Sequence, residues 1–214
     1  MKFSMRALGV GLILTLCQAE AGTLAHKFRI TFDDMKTDAA PPEWKSGFLG
    51  SSGSPHWFVN SDHSALSAPH VLKQDGNAPY AWIVHSSFQA ANGSVEVQFR
   101  ILSGKEDPEA GVIWHFKDGS NYYYVRANIL ENNVVFYHML RGQKELVKSV
   151  DVPVATHRWH RFKVDFRGEE ISVNYDGKEI ISLQDSKIKG PGGVGLFSMA
   201  DTVVDFDDFA ADEK

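Results

Sequence analysis

From residue 93 to residue 211 the chain is a succession of short runs rich in β-branched and aromatic residues, each closed by a tight turn. The runs fall at 94–101, 111–116, 122–129, 134–140, 161–166, 170–175, 178–183, 193–198 and 202–206. Period-two alternation marks a strand with one face in and one face out. Gly-containing pairs separate many of the runs: Asn92-Gly93, Asp118-Gly119, Arg141-Gly142, Arg167-Gly168 and Asp176-Gly177. Such pairs suit the left-handed backbone of two-residue hairpins. No segment keeps an i, i+3, i+4, i+7 pattern, and residues 107–111 read as loop. So many antiparallel strands do not stay flat and open. The economical solution is an all-β jelly-roll sandwich of two antiparallel sheets, with the first and last strands adjacent.

The N-terminal half is less regular. Residues 26–32 alternate as a strand, residues 33–55 are turn-rich with at most one short strand, and strands are expected near 57–59, 68–74 and 81–85. Pro69 marks an edge or a strand start there. Lys2 and Arg6, an apolar stretch at 7–17 and the small residues Ala19 and Ala21 form an export signal. Cleavage after Ala21 leaves residues 22–214 as one domain. Cys17 leaves a lipoprotein anchor open as an alternative, although Leu16 before it is large for such a site. The expected location is periplasmic or extracellular. No other stretch reaches the ~20 apolar residues of a membrane span.

The single cysteine lies in that signal, so the domain relies on its core rather than on disulfides. A formal net charge of −5 argues against nucleic acid and anionic lipid as partners. The chain is expected to be a monomer that requires no cofactor. Gly190-Pro-Gly-Gly-Val-Gly195 has the letters of a dinucleotide loop but opens a strand, so it is a turn. No G-x-S-x-G or H-E-x-x-H occurs, and the nine histidines are dispersed.

Two constellations carry candidate chemistry. On the run at 122–129, Tyr122, Tyr124, Arg126 and Asn128 share one face, and Tyr123, Val125, Ala127 and Ile129 share the other. The second set suits a core. The first offers rings, a cation and an amide to a polyhydroxylated ligand. Trp114, His115, Tyr137 and His138 on the neighbouring runs extend that surface, with the facing member of each pair left open by the register. Arg126→Ala is expected to abolish ligand binding while sparing the fold. Separately, Asp33 and Asp34 close the first strand, while Asp207 and Asp208 lie in the last. Their convergence would suit a structural Ca²⁺, and alternation to opposite faces would prevent it.

At 111–114, 121–128, 131–134, Tyr137, Trp159-His160, Asp176-Gly177, 195–197, Asp201 and 206–209 the chain resembles the concanavalin A-like jelly rolls of bacterial secreted proteins. Within these it is similar to the group around the 3-keto-disaccharide hydrolase domain, loosely called family 16 glycoside hydrolase-like or laminin-G-like. The resemblance implies a carbohydrate ligand on a concave sheet, and calcium near the termini. Three roles stay open: a carbohydrate-binding protein, a hydrolase or lyase acting on 3-keto-disaccharides, and a structural or adhesion module. The chain lacks the E-x-D-x-x-E motif of family 16 glucanases, and no catalytic residue carries over. Cleavage of a 3-keto-glycoside by elimination needs only one base acting on an acidified C–H bond.

Overall fold

A computed structural model describes residues 26–214, and the export signal expected at 1–21 lies outside the described residues. Every described element is a strand. In chain order the first seven are β1 (Lys27–Ile30), β2 (Trp44–Phe48), β3 (Trp57–Ser61), β4 (His70–Gln74), β5 (Ala78–His85), β6 (Gly93–Ser103) and β7 (Glu109–Asp118). Then come β8 (Asn121–Asn128), β9 (Asn133–Leu140), β10 (Gln143–Asp151), β11 (His160–Arg167), β12 (Glu170–Tyr175), β13 (Lys178–Gln184), β14 (Gly193–Ala200) and β15 (Val203–Glu213). Among the described residues no helix is long and apolar enough to cross a membrane.

The strands form two antiparallel sheets. The first runs β13-β12-β11-β6-β15-β4-β3, and the second runs β10-β9-β8-β7-β14-β5-β2. β15 is long enough to pair with β6 on one edge and to share its other edge between two partners. It meets β4 along Val204–Phe206 and β1 along Phe209–Asp212. The first and last strands are therefore neighbours, as the jelly roll requires. β2, the one short strand allowed within the turn-rich region, and β10, which the sequence reading did not place, supply the two edges of the second sheet. β10 carries Lys144, Glu145, Lys148 and Asp151 and is largely exposed, so its apolar alternation is weak. The turn at Asp176 and Gly177 has φ of 50° and 82°, the left-handed pair that a tight hairpin needs.

The core lies between the sheets. Val95, Val97, Phe99, Phe162 and Val164 of the first meet Val112, Trp114, Tyr123, Val125, Phe136 and Leu196 of the second. The rings of Phe99 and Phe162 stack at 5.1 Å, and those of Trp114 and Phe136 lie 5.1 Å apart. Truncating a buried ring of this kind to Ala costs about 3–5 kcal/mol. Outside the core the two sheets differ. The outer face of the first is ionic: Arg161 pairs with Glu96 at 2.5 Å and Lys214 with Asp165 at 3.1 Å. The outer face of the second carries a separate apolar cluster of Ile113, Tyr122, Tyr124, Val135, Tyr137, Met139 and Phe197.

Candidate functional site on the outer face of the second sheet

β8 alternates as its sequence requires. Tyr123, Val125 and Ala127 enter the core, while Tyr122 and Tyr124 join the outer cluster. Arg126 and Asn128 follow in phase toward one end. Tyr124 stacks on Tyr137 of β9 at 5.2 Å and meets Phe197 of β14 at 4.5 Å. The sequence suggests an open aromatic platform here. Instead, Tyr122 and Tyr124 are 0% and 1% exposed, and burial pushes both hydroxyls far above the usual tyrosine range. Their cover is the chain itself. Lys144, starting from the β10 edge, places its ammonium 5.6 Å from the Tyr80 ring of β5 and 5.1 Å from the Tyr137 ring. The lysine and Tyr80 thus meet above the face. Leu49 packs against the same cluster and lies beside Gly142 of the β9-to-β10 turn.

What remains accessible is to one side. Trp82 and Phe116 are half-buried, with ring centroids 4.9 Å apart. Trp82 is placed by β5, whose partner β2 presents Gly47 beneath it. A Cβ at Gly47 would lie 2.4 Å from the Trp82 ring, so only glycine allows that approach.

The polar end of the face is built around Arg126, which is 3% exposed. Its Nε lies 2.6 Å from Glu109 Oε1, and its Nη2 donates to Glu131 Oε2 at 2.8 Å and to Tyr137 Oη at 3.3 Å. Nη1 donates to Asn133 Oδ1. Asn128 Nδ2 donates to Asp107 at 2.7 Å and to Glu109 at 3.4 Å. The Asn128 carbonyl oxygen accepts from the backbone N–H groups of Leu130 and Glu131. One guanidinium thus serves two carboxyl groups, with Asp107 close by. Burial opposes the charge of Glu131, but the hydrogen bonds from Arg126 and Asn133 and the nearby cations together hold its carboxyl below the usual range. Glu109 is buried, and desolvation outweighs the attraction of Arg126 and adds to the repulsion from Asp107. Its carboxyl is pushed up to about 8. A carboxyl that titrates near neutrality is suited to moving a proton.

Three candidates from the sequence lie elsewhere. Trp114 faces the core between the sheets. A bulge follows it in β7, where His115 adopts φ 48°. That twist turns His115 onto the rim, where its Nδ1 and Nε2 lie 3.1 and 3.2 Å from the carbonyl oxygens of Ile188 and Ala91. Burial holds its imidazole below the usual histidine range. His138 points away from the outer face, with Nε2 3.7 Å from Glu145 and 4.0 Å from Asp185. Tyr137, not His138, is the member of its pair that meets Arg126.

The four aspartates do not converge. Asp33 accepts from the His70 backbone N–H at 3.0 Å, and Asp207 accepts from Ser67 N and Oγ at 2.8 and 2.7 Å. Asp208 pairs with Arg29 at 2.8 Å, and Asp34 is exposed. A bulge between Asp207 and Ala210 splits the last pair. Among the described residues no group of three or more His, Cys, Asp or Glu is placed to hold a metal ion.

Sequence reasoning passed over Glu109, Tyr80, Trp82 and Lys144. Glu109 sits in β7, not in the loop expected at 107–111. Its signal was phase: Glu109, Gly111 and Ile113 recur at the two-residue period of the outer face. Tyr80, Trp82 and Val84 do the same on β5. Lys144 had no local signal, because its role depends on the curvature of a whole sheet.

The family model for the 3-keto-alpha-glucoside-1,2-lyase-like domain matches residues 31–210. No curated protein sequence matches the chain. Among solved structures it is similar to the carbohydrate binding module CBM66 from Bacillus subtilis, with 15% identity, a TM-score of 0.64, and coverage of 80% of this chain and 96% of that one. The cellulose induced protein Cip1 gives 13% identity and a TM-score of 0.62, covering 86% and 96%. The Bacillus licheniformis beta-glucanase gives 12% identity and a TM-score of 0.53, covering 88% and 98%. At such identities the likeness speaks to the fold, which is the concanavalin A-like jelly roll.

Proposed function

The chain belongs to the 3-keto-alpha-glucoside-1,2-lyase-like domain family, and from that premise we propose that it is an exported protein binding a saccharide along the outer face of its second sheet. One observation carries the reading. A sheet face that, among the described residues, packs against no second layer carries half-buried Trp82 and Phe116 beside an apolar cluster that ends in a buried carboxyl and guanidinium pair. Rings accept the apolar face of a pyranose, and the polar end fixes hydroxyls. Glu131, Asp107 and Asn133 are the groups of that end most open to solvent, and Glu109 keeps 5% of its side chain exposed.

Glu109 favours a second reading, that the site cleaves a 3-keto-glycoside by elimination. The ketone at C3 acidifies the C2–H bond. The Glu109 carboxylate takes that proton, the released electron pair forms the C1=C2 bond, and the C1–O bond breaks. The departing oxygen then takes a proton, which the newly protonated Glu109 can return. Arg126 and Asn128 hold the carboxyl in place, and no second catalytic carboxylate is required. The family's name and the raised Glu109 pKa support this step.

Incubation of the purified chain with a disaccharide and its 3-keto derivative, followed by mass spectrometry and calorimetry, tests both readings. We expect both sugars to bind and the keto-sugar alone to be cleaved. Glu109→Gln is expected to lower cleavage by about 10²–10⁴-fold while retaining binding. Binding without cleavage removes the elimination, and failure of both sugars to bind removes the saccharide site.

A further inference from the structure

Beyond the aromatic pair, at the opposite end of the face from Glu109, lies a cavity of about 290 Å³ between β2, β5, β7 and β14. Glu109 and Phe116 are seven residues apart on β7, about 20 Å at strand rise once the bulge is allowed for. The outer face is therefore longer than a single sugar ring, and its two ends differ in charge. The Glu109 end holds three carboxyl groups to one guanidinium. The cavity at the other end is lined by Lys45, Lys117, His85 and the amide of Gln89, with Phe116 and Gly193 beside them. No carboxylate lines it, the exposed Glu43 lying outside it at 3.9 Å from His85 Nε2.

The two lysines are placed by different strands. Lys45 sits opposite Val84 in β2, in phase with the Gly47 that underlies Trp82. Lys117 follows the β7 bulge and is fixed by donating its ammonium to the carbonyl oxygens of Gly190, at 3.1 Å, and Pro191. Among the described residues neither lysine pairs with a carboxylate, whereas Lys73, Lys163 and Lys214 do. Gln89 and Phe116 meet at Gly193: a Cβ there would lie in ordinary contact with both, 3.5 Å from the Gln89 amide and 3.6 Å from Phe116. Two uncompensated cations, an amide and the edge of an aromatic pair thus converge in a chain of net charge −5.

We propose that this cavity is a subsite for an anionic substituent on the saccharide, a uronate carboxylate or a sulfate ester. It rests on the saccharide reading given above and names the substrate class. The pyranose lies against Phe116 and Trp82, its anion sits between Lys45 and Lys117, and Gln89 donates to a ring hydroxyl. Ammonium groups bind such anions with charge-assisted hydrogen bonds, roughly twice as strong as neutral ones.

The test is calorimetric titration of the full chain with a glucuronate-containing disaccharide, its 6-sulfated glucose counterpart and the neutral parent. We expect at least one acidic sugar to bind about tenfold or more tightly than the neutral one, the loss of two charged contacts being worth at least that factor. The acid that gains more identifies the source of the anion. The Lys45→Gln, Lys117→Gln double variant is expected to erase that preference and leave the neutral affinity unchanged. Both lysines are exposed, so the fold tolerates the change, which a circular dichroism melt verifies. Equal affinity for all three sugars overturns the subsite and leaves the saccharide site standing. A preference that survives in the double variant also overturns it. Failure of all three to bind overturns both.

Discussion

The outer faces of the two sheets are made by the same chain under the same solvent, yet they settle their charges differently. On the first sheet, buried Asp205 is an exception, met by Lys73 at 2.6 Å and Arg100 at 2.8 Å. Most charges there neutralise one another near the surface: Arg161 with Glu96, Lys163 and Lys214 with Asp165, and Arg29 with Asp208. That is the ordinary solution for an antiparallel sheet with one solvated side. On the second sheet, the corresponding face buries tyrosines, a phenylalanine and a methionine, and places its ion pair at 3% and 5% side-chain exposure. Stability alone does not call for this, since a buried pair recovers little more than its desolvation. The contrast lies in the balance of charge rather than in dryness. Buried Asp205 is met by two cations, whereas on the second sheet one guanidinium serves both Glu109 and Glu131, and that excess of carboxyl groups marks where a ligand is expected to work.

The largest test of the contrast is a pair of arginines. Arg126→Ala strands Glu109 without its cation, and we expect a loss of about 3–5 kcal/mol by denaturant unfolding. This corrects the sequence-based expectation that the substitution spares the fold, which took Arg126 for a projecting group. Next in size is a pH effect. Glu109 has a folded pKa of about 8 against a reference of 4.5, so the folded state holds the extra proton between those values. Its contribution is fully present below about pH 4.5 and is lost as pH rises through about 8. Glu109→Gln should flatten this part of the stability profile, measured as the difference between variant and parent melts across pH 5–9. An unchanged profile would place Glu109 in an ordinary environment. The smallest effect belongs to the first sheet: Arg161→Ala, 45% exposed in its side chain, should change stability by no more than about 1 kcal/mol. A loss matching that of Arg126 would erase the difference between the faces.

Much of the fold was legible because it is local. The alternation of Tyr122 to Ile129 gives β8 its two faces, and Asp176-Gly177 declares its hairpin before any partner is known. The site was legible only where that same period reached. It puts Tyr122, Tyr124, Arg126 and Asn128 together, but says nothing of Tyr80, Leu49 and Lys144 closing over the rings. It fails outright at His115, where the bulge breaks the count, and at Glu109, where Pro108 disguises a strand start as loop. Trp114 was misplaced for a simpler reason, that a large aromatic serves a core and a binding face equally well. The aspartates are the converse case: Asp33 and Asp34, expected to close the first strand, fall in the turn beyond β1, and Asp207 and Asp208 are split by a bulge and held by nearer partners.

The β10 edge has a consequence for how this molecule behaves among its own copies. An unpaired outermost strand is a template on which another chain can polymerise. β10 presents there Lys144, Glu145, Lys148 and Asp151, so an incoming strand would have to strip water from ionic side chains of both signs before its backbone could pair. The polarity that hid β10 from a reading of the sequence is a gatekeeper against strand-to-strand growth at this edge.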